Sequence, residues 1–236
     1  MILLTRIVIK MVFSYLFIGM KKLIDLKKPE MSYLIGIFQT DGHLQSSSRN
    51  RGRLTIEISF KDRDLLPKLQ KVIPVNTTIY TRVRKTNFCT SYTSTTLNIF
   101  NLEFRNEIVK CGVPYGKKSN IIQPPIVKYS ENDYWRGIID GDGSLGFTTQ
   151  GFPFISLVTA SENLYLAFKK FLKKHDIDIN LNRNKRDNVY NIMLNKEKAQ
   201  LIVRLLYVNS TISLKRKYEK ALEILSWKRP LKKHSV

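Results

Sequence analysis

The feature that most constrains this chain is a motif that occurs twice. Ser32–Leu44 reads SYLIGIFQTDGHL and Asp133–Leu145 reads DYWRGIIDGDGSL. Aligned on Asp41 and Asp142, both run aromatic, two residues, Gly, Ile, three residues, Asp, Gly, one residue, Leu. The aspartates stand 101 positions apart, a repeat unit of domain size. The segments after the two copies are also alike. RLTIEISFKDRDLLPKLQKVI comes after the first and FPFISLVTASENLYLAFKKFLKKH after the second. Each reads as an alternating strand running into an amphipathic helix, with Asp62 or Ser161 as the N-cap candidate.

The remainder of each half supports the same plan. Thr77–Phe100 is rich in Thr, Tyr, Ile and Val and reads as two or three strands. Its counterpart is Ile179–Asn195, in which KRDN marks a tight hairpin. NLEFRNEIVKCG, KEKAQLIVRLLYV and LKRKYEKALEILSW read as closing helices. Pro124-Pro125 cannot continue a helix and marks a linker. The expectation is an α+β chain of two αββαββα halves. Its parts are an apolar extension (1–25), a first repeat (26–123), a linker (124–132) and a second repeat (133–236) whose basic end is frayed.

Forty Lys+Arg against nineteen Asp+Glu leave a formal net charge of +21. Such an excess draws in polyanions and makes nucleic acid the expected partner. Two cysteines, Cys89 and Cys111, and three histidines are too few for a disulfide framework or a Cys/His zinc site. Met1–Met20 is apolar but broken by Arg6 and Lys10, and its longest uncharged run is about half of a membrane span. The segment is expected to be either a targeting leader or an extra helix packed on the core. No membrane partner is expected.

Chemistry concentrates at the two motifs. In each, an apolar helix ends at Asp-Gly, and glycine there suits a helix exit. Small residues recur four apart, Gly36 with Thr40 and Gly137 with Gly141, which puts them on one face and lets two helices touch backbone to backbone. If the two helices pack in parallel, Asp41 and Asp142 end side by side. Two adjacent carboxylates repel, and a divalent cation relieves that cost. Hard oxygen ligands with open positions suit Mg²⁺ shared with a phosphate, where metal can activate water and stabilise a leaving oxygen.

LIGIFQTDG (Leu34–Gly42) and WRGIIDGDG (Trp135–Gly143) resemble the two signatures of the LAGLIDADG homing endonucleases in their single-chain form. Thr40 stands where the family usually has Ala or Gly, and Gln39 where an acid is common. The resemblance covers about Leu26 to Leu231. It implies motif helices at the interface between halves, antiparallel sheets forming a saddle on double-stranded DNA, and cleavage of both strands with Mg²⁺ (or Mn²⁺). Asp41 and Asp142, with Gly42 and Gly143 beside them, fall on the metal-binding positions. The family also places a lysine near each active site. Lys118 and Lys217 are the choices here, with Lys117 and Lys215 as alternatives, and Lys61 is the candidate polar residue completing the first site.

The same resemblance makes the basic strands the DNA-facing region: Arg49, Arg51, Arg53, Arg82, Arg84 and Lys85 in the first half, Gln150, Arg183, Lys185 and Arg186 in the second. Alternation sends about half of them to one face. His43 is read as an exposed strand residue outside the site. Because the halves differ, the target is expected to be asymmetric, and one chain already holds both active-site halves, so no protein partner is needed. The competing reading is an intron RNA maturase on the same scaffold; the two intact aspartates favour the nuclease. Lys/Asn/Ile/Tyr-rich composition suggests an intron-encoded protein of an organelle.

Overall fold

The computed structural model describes residues 22–85 and 90–230. The expectations for the apolar N-terminal run (1–21) and for the end of the basic tail (231–236) lie outside the described residues. The first half runs α1 (Pro29–Thr40), β1 (Gly42–Ser46), β2 (Gly52–Ser59), α2 (Leu65–Val72), β3 (Thr77–Arg84), β4 (Tyr92–Ile99) and α3 (Leu102–Lys110). The second runs α4 (Glu131–Asp142), β5 (Gly143–Phe147), β6 (Pro153–Thr159), α5 (Glu162–Lys173), β7 (Tyr190–Asn195), α6 (Lys196–Tyr207) and α7 (Lys215–Ser226).

Local chemistry accounts for several boundaries. Pro29 opens α1, where its missing N–H costs nothing. Asn101 caps α3 by accepting from Phe104 N at 2.8 Å, and Ser161 caps α5 by accepting from Leu164 N at 3.3 Å. Asp62 does not cap α2. It lies in a 3₁₀ turn, Phe60–Asp62, and α2 begins at Leu65. Its carboxylate is occupied by Arg216 Nε at 3.0 and 3.1 Å.

Both sheets are antiparallel, ordered β1-β2-β4-β3 and β5-β6-β7. Period-two alternation turns Leu44, Leu54, Ile56, Leu97 and Ile99 of the first sheet inward, and Ile155, Leu157, Ile192 and Leu194 of the second. The KRDN turn forms, with Asn188 in the left-handed region (φ 55°). Its incoming strand does not, and shrinks to one bridge, Asn184 with Val189. The reason lies beside it. Leu181 N donates to Tyr165 Oη and Leu181 O accepts from it, at 3.1 and 3.2 Å, so this backbone is spent on α5 rather than on a ladder.

The halves meet along α1 and α4. A Cβ on Gly36 would lie 2.5 Å from Tyr134 O, and one on Gly137 2.3 Å from Tyr33 O. The two backbones therefore touch where the sequence placed glycines. Trp135 anchors α4 in the second core, its ring 4.7 Å from Phe168 and 5.8 Å from Phe171.

Candidate active site

The parallel packing of α1 and α4 brings their C-terminal ends together. Asp41 is the residue that closes α1, its N–H on Ile37 O at 2.9 Å, and Asp142 is the last residue of α4. Gly42 and Gly143 turn the chain directly into β1 and β5. A Cβ at Gly42 would meet Phe38 O at 2.5 Å, and one at Gly143 would meet Ile139 O at 2.8 Å, so only glycine fits either exit. Both carboxylates keep a solvent-accessible face, yet the protein packed around them limits their hydration. Desolvation, then the charge of Asp142, raises Asp41 to about 6, while Lys118, Lys217 and Arg216 act against the shift. Desolvation also raises Asp142, opposed by Lys118 and Lys217.

Lys118 and Lys217 each reach a motif-helix end, whereas Lys117 and Lys215 are exposed. Lys118 Nζ donates to Phe38 O at 2.9 Å, to Thr40 O at 2.8 Å and to Gly42 O. Lys217 Nζ donates to Ile139 O at 2.6 Å and to Asp140 O and Gly143 O at 2.7 Å. Terminal carbonyls of a helix lack partners within it, and a cation there also meets the negative end of the helix dipole. Burial lowers both ammoniums to about 8, against the pull of nearby carboxylates that include Asp41 and Asp142. All three N–H donors of each lysine are thereby engaged. The carbonyls of Gly42 and Gly143, expected at the metal, each accept one lysine N–H, which leaves each oxygen a second lone pair.

Asp41 and Asp142 are the two carboxylates that the paired helix ends offer to a hard cation. Among the described residues, no group of three or more His, Cys, Asp or Glu could enclose an ion. Two carboxylates whose ionisation is disfavoured suit Mg²⁺, which keeps several waters and completes its shell with phosphate oxygens. Beside them is a cavity of about 340 Å³, lined in part by Thr40, Lys118, Asp142, Thr159 and Ala160. Lys61 is exposed in the 3₁₀ turn; the cations that act on Asp41 are Lys118, Lys217 and Arg216.

The other expected contact residues divide. Arg53, Arg82 and Arg84 occupy the solvent-facing side of the first sheet, as does His43. Arg49 and Arg51 flank them in the β1–β2 connection, and with Arg53 they line a cavity of about 560 Å³. Lys85 comes directly after β3 and is exposed. Gln150 sits in the turn between β5 and β6 rather than on a strand, and Lys185 and Arg186 sit in the KRDN turn. Arg183 differs from expectation. Its guanidinium donates to Ala160 O and lies over the Tyr190 ring at 5.3 Å, which holds it within the second half.

Sequence reasoning missed four residues that support the site. Asp140 is buried and accepts from Tyr33 Oη at 2.8 Å, Tyr207 Oη at 2.6 Å and Leu214 N at 2.7 Å. Gln39, at the equivalent place, accepts from Tyr134 Oη at 2.6 Å and donates to Gly112 O at 3.0 Å and Gln123 O at 2.8 Å. Buried Arg136 donates to Ile212 O and Leu206 O, both at 2.8 Å, fastening the segment that leads to Lys217. Arg216 crosses from the second half to Asp62 of the first. The polar residues inside the motif were the only signal for the first three, and nothing marked Arg216 among the many cations.

Comparison with known proteins identifies the family and the fold. A family model described as a LAGLIDADG-like domain matches residues 28–110 and 130–220. Among solved structures, I-WcaI bound to its DNA recognition sequence is 17% identical, with a TM-score of 0.57 over 82% of this chain and 87% of that one. The homing endonuclease I-GzeII in complex with its DNA target is 12% identical, with a TM-score of 0.55 over 84% and 89%. I-SmaMI bound to uncleaved DNA in the presence of calcium ions is 11% identical, with a TM-score of 0.55 over 84% and 89%. No curated protein sequence matches the chain.

Proposed function

The chain belongs to the LAGLIDADG-like family, and from that premise we propose that it is a site-specific DNA endonuclease cutting both strands of a long, asymmetric duplex. The observation that carries this reading is the carboxylate pair at adjacent helix ends, each end also holding a lysine, in a chain of charge +21. A divalent cation, Mg²⁺ or Mn²⁺, would be held by Asp41 and Asp142 and would supply activation of water and neutralisation of phosphate charge. An ammonium lowered to about 8 exchanges a proton near neutral pH, and by releasing one carbonyl it can donate to a phosphate oxygen. The solvent-facing sides of both sheets bind the duplex, and their unlike side chains make the target asymmetric. One chain supplies both aspartates and both lysines, so the working unit is a monomer. An intron as coding location and an organelle as compartment belong to the same proposal.

The test is selection of cut sites from a randomised duplex library with Mg²⁺, against the same reaction in a chelator. Discrete double-strand cuts that require the metal are expected. Salt-sensitive binding without cutting under any divalent metal would overturn the endonuclease and favour binding of structured intron RNA.

A further inference from the structure

Strand alternation separates two solvent-facing surfaces of unlike chemistry, and both continue directly from the motif aspartates through β1 and β5. On the first sheet this surface carries Arg53 and Glu57 of β2 and Arg82 and Arg84 of β3. Glu57 stands between the two β3 guanidiniums, 2.5 Å from Arg82 Nη2 and 2.7 Å from Arg84 Nη2. Both arginines stay nearly half exposed. The hydrogen bond to Glu57 fixes where the Arg82 fork points, the Arg84 guanidinium is drawn to the same carboxylate by charge, and most of the five N–H donors of each stay free. Glu57 therefore gathers two guanidiniums side by side, open to anything lying on this sheet.

The second sheet offers nothing of the kind. On the equivalent surface β6 carries Phe154, Ser156 and Val158, and β7 carries Asn191, Met193 and Asn195. With the β5 positions Ser144 and Gly146 included, no side chain of this face ionises. Arg183, one of the cations expected on this surface, is held by Ala160 O and the Tyr190 ring. Val158 and Met193 are 46% and 49% exposed, two apolar groups on adjacent strands left open among amides. In the major groove, guanidinium forks fit the O6 and N7 acceptors of guanine, carboxamides fit adenine, and apolar side chains fit the thymine methyl.

We propose that the two halves read half-sites of opposite base composition, which deepens the endonuclease reading and rests on it. The half-site under the first sheet presents guanines to Arg53, Arg82 and Arg84. The half-site under the second sheet is A·T-rich, with thymine methyls on Val158 and Met193 and adenines on Asn191 and Asn195.

The test is a binding selection from a randomised duplex library by the full chain in Ca²⁺. It is repeated with the Arg82→Ala/Arg84→Ala and Val158→Ala/Met193→Ala variants, whose altered side chains face solvent, so that wild-type melting is expected. A recovered sequence with G·C pairs gathered in one half and A·T pairs in the other is expected. The arginine variant should relax guanine preference in the first half alone, by roughly 5- to 150-fold per contact. The apolar variant should relax thymine preference in the other half alone, by about fourfold per lost methyl contact, the worth of one buried CH₂. Enrichment with G·C spread evenly, or both variants relaxing the same half, overturns this assignment and leaves the endonuclease reading standing. Enrichment of no sequence overturns both.

Discussion

Gln39 and Asp140 occupy the same place in the two motif helices, two residues before the motif aspartate, and each accepts a tyrosine hydroxyl from the opposite helix. Behind them the halves differ. The chain beyond α3 turns carbonyls of Gly112 and Gln123 toward Gln39, and its amide donates to them. The chain beyond α6 turns an N–H of Leu214 toward Asp140, joined by the Tyr207 hydroxyl, and the carboxylate accepts both. A buried polar group must match the polarity of its partners. The departure from the family pattern at Gln39 is therefore a complementary solution to the same task, holding in place the segment that delivers the lysine. The site's backbone geometry is held in common, while its supports are set by whichever backbone groups lie behind it.

If the two lysines are equivalent in function, Lys118→Met and Lys217→Met should each slow cleavage by about 10²-fold, and mainly of one strand, a different strand for each. End-labelling of the two strands separately reads this directly; equal slowing of both strands by either variant would break the equivalence. The polarity match can be broken as well. Gln39→Glu places a carboxylate against carbonyls in a buried site and should destabilise the fold on the order of 3 kcal/mol in urea denaturation. An unchanged midpoint would show that the support is not polarity-matched.

Close packing gives a subtler contrast. A Cβ at Gly141 would lie 1.9 Å from Thr40 Oγ1. Gly141→Ala should cost about 1–3 kcal/mol, and the exchange Thr40→Gly/Gly141→Thr should recover most of it if the helix pair is symmetric. Thermal melts of the three variants decide. The smallest effect concerns the metal-free protein. Asp41 is raised to about 6 from an ordinary value of 3.8, so its ionisation opposes folding increasingly from about pH 4 to 6 and fully above that. Asp41→Asn should therefore melt higher than wild type at pH 7.5 in a chelator, with the gap closing below pH 4. Saturating Mg²⁺ should favour the wild type instead.

Much of this was legible in the sequence because it depended on near neighbours. The doubled motif fixed both helices, the aspartates at their ends and the glycines at their contact; periodicity placed the strands, and Ser161 began its helix locally. The features that escaped depended on partners far along the chain. Asp62 looked like a cap but was claimed by Arg216, 154 residues away. The strand before KRDN was lost to Tyr165. Arg183 read as a free cation, yet Ala160 O holds it. Arg136 interrupts an apolar helix, and only the fold brings carbonyls of Leu206 and Ile212 to it.

The central claim is that Asp41 and Asp142 act as one joint site rather than as two independent ones, and Asp142→Asn tests it most directly. On a selected target with Mg²⁺, strand-resolved cleavage by this variant is compared with wild type at equal DNA occupancy. Both strands should stay uncut, slowed on the order of 10³-fold. Full-rate cutting of either strand would contradict the account.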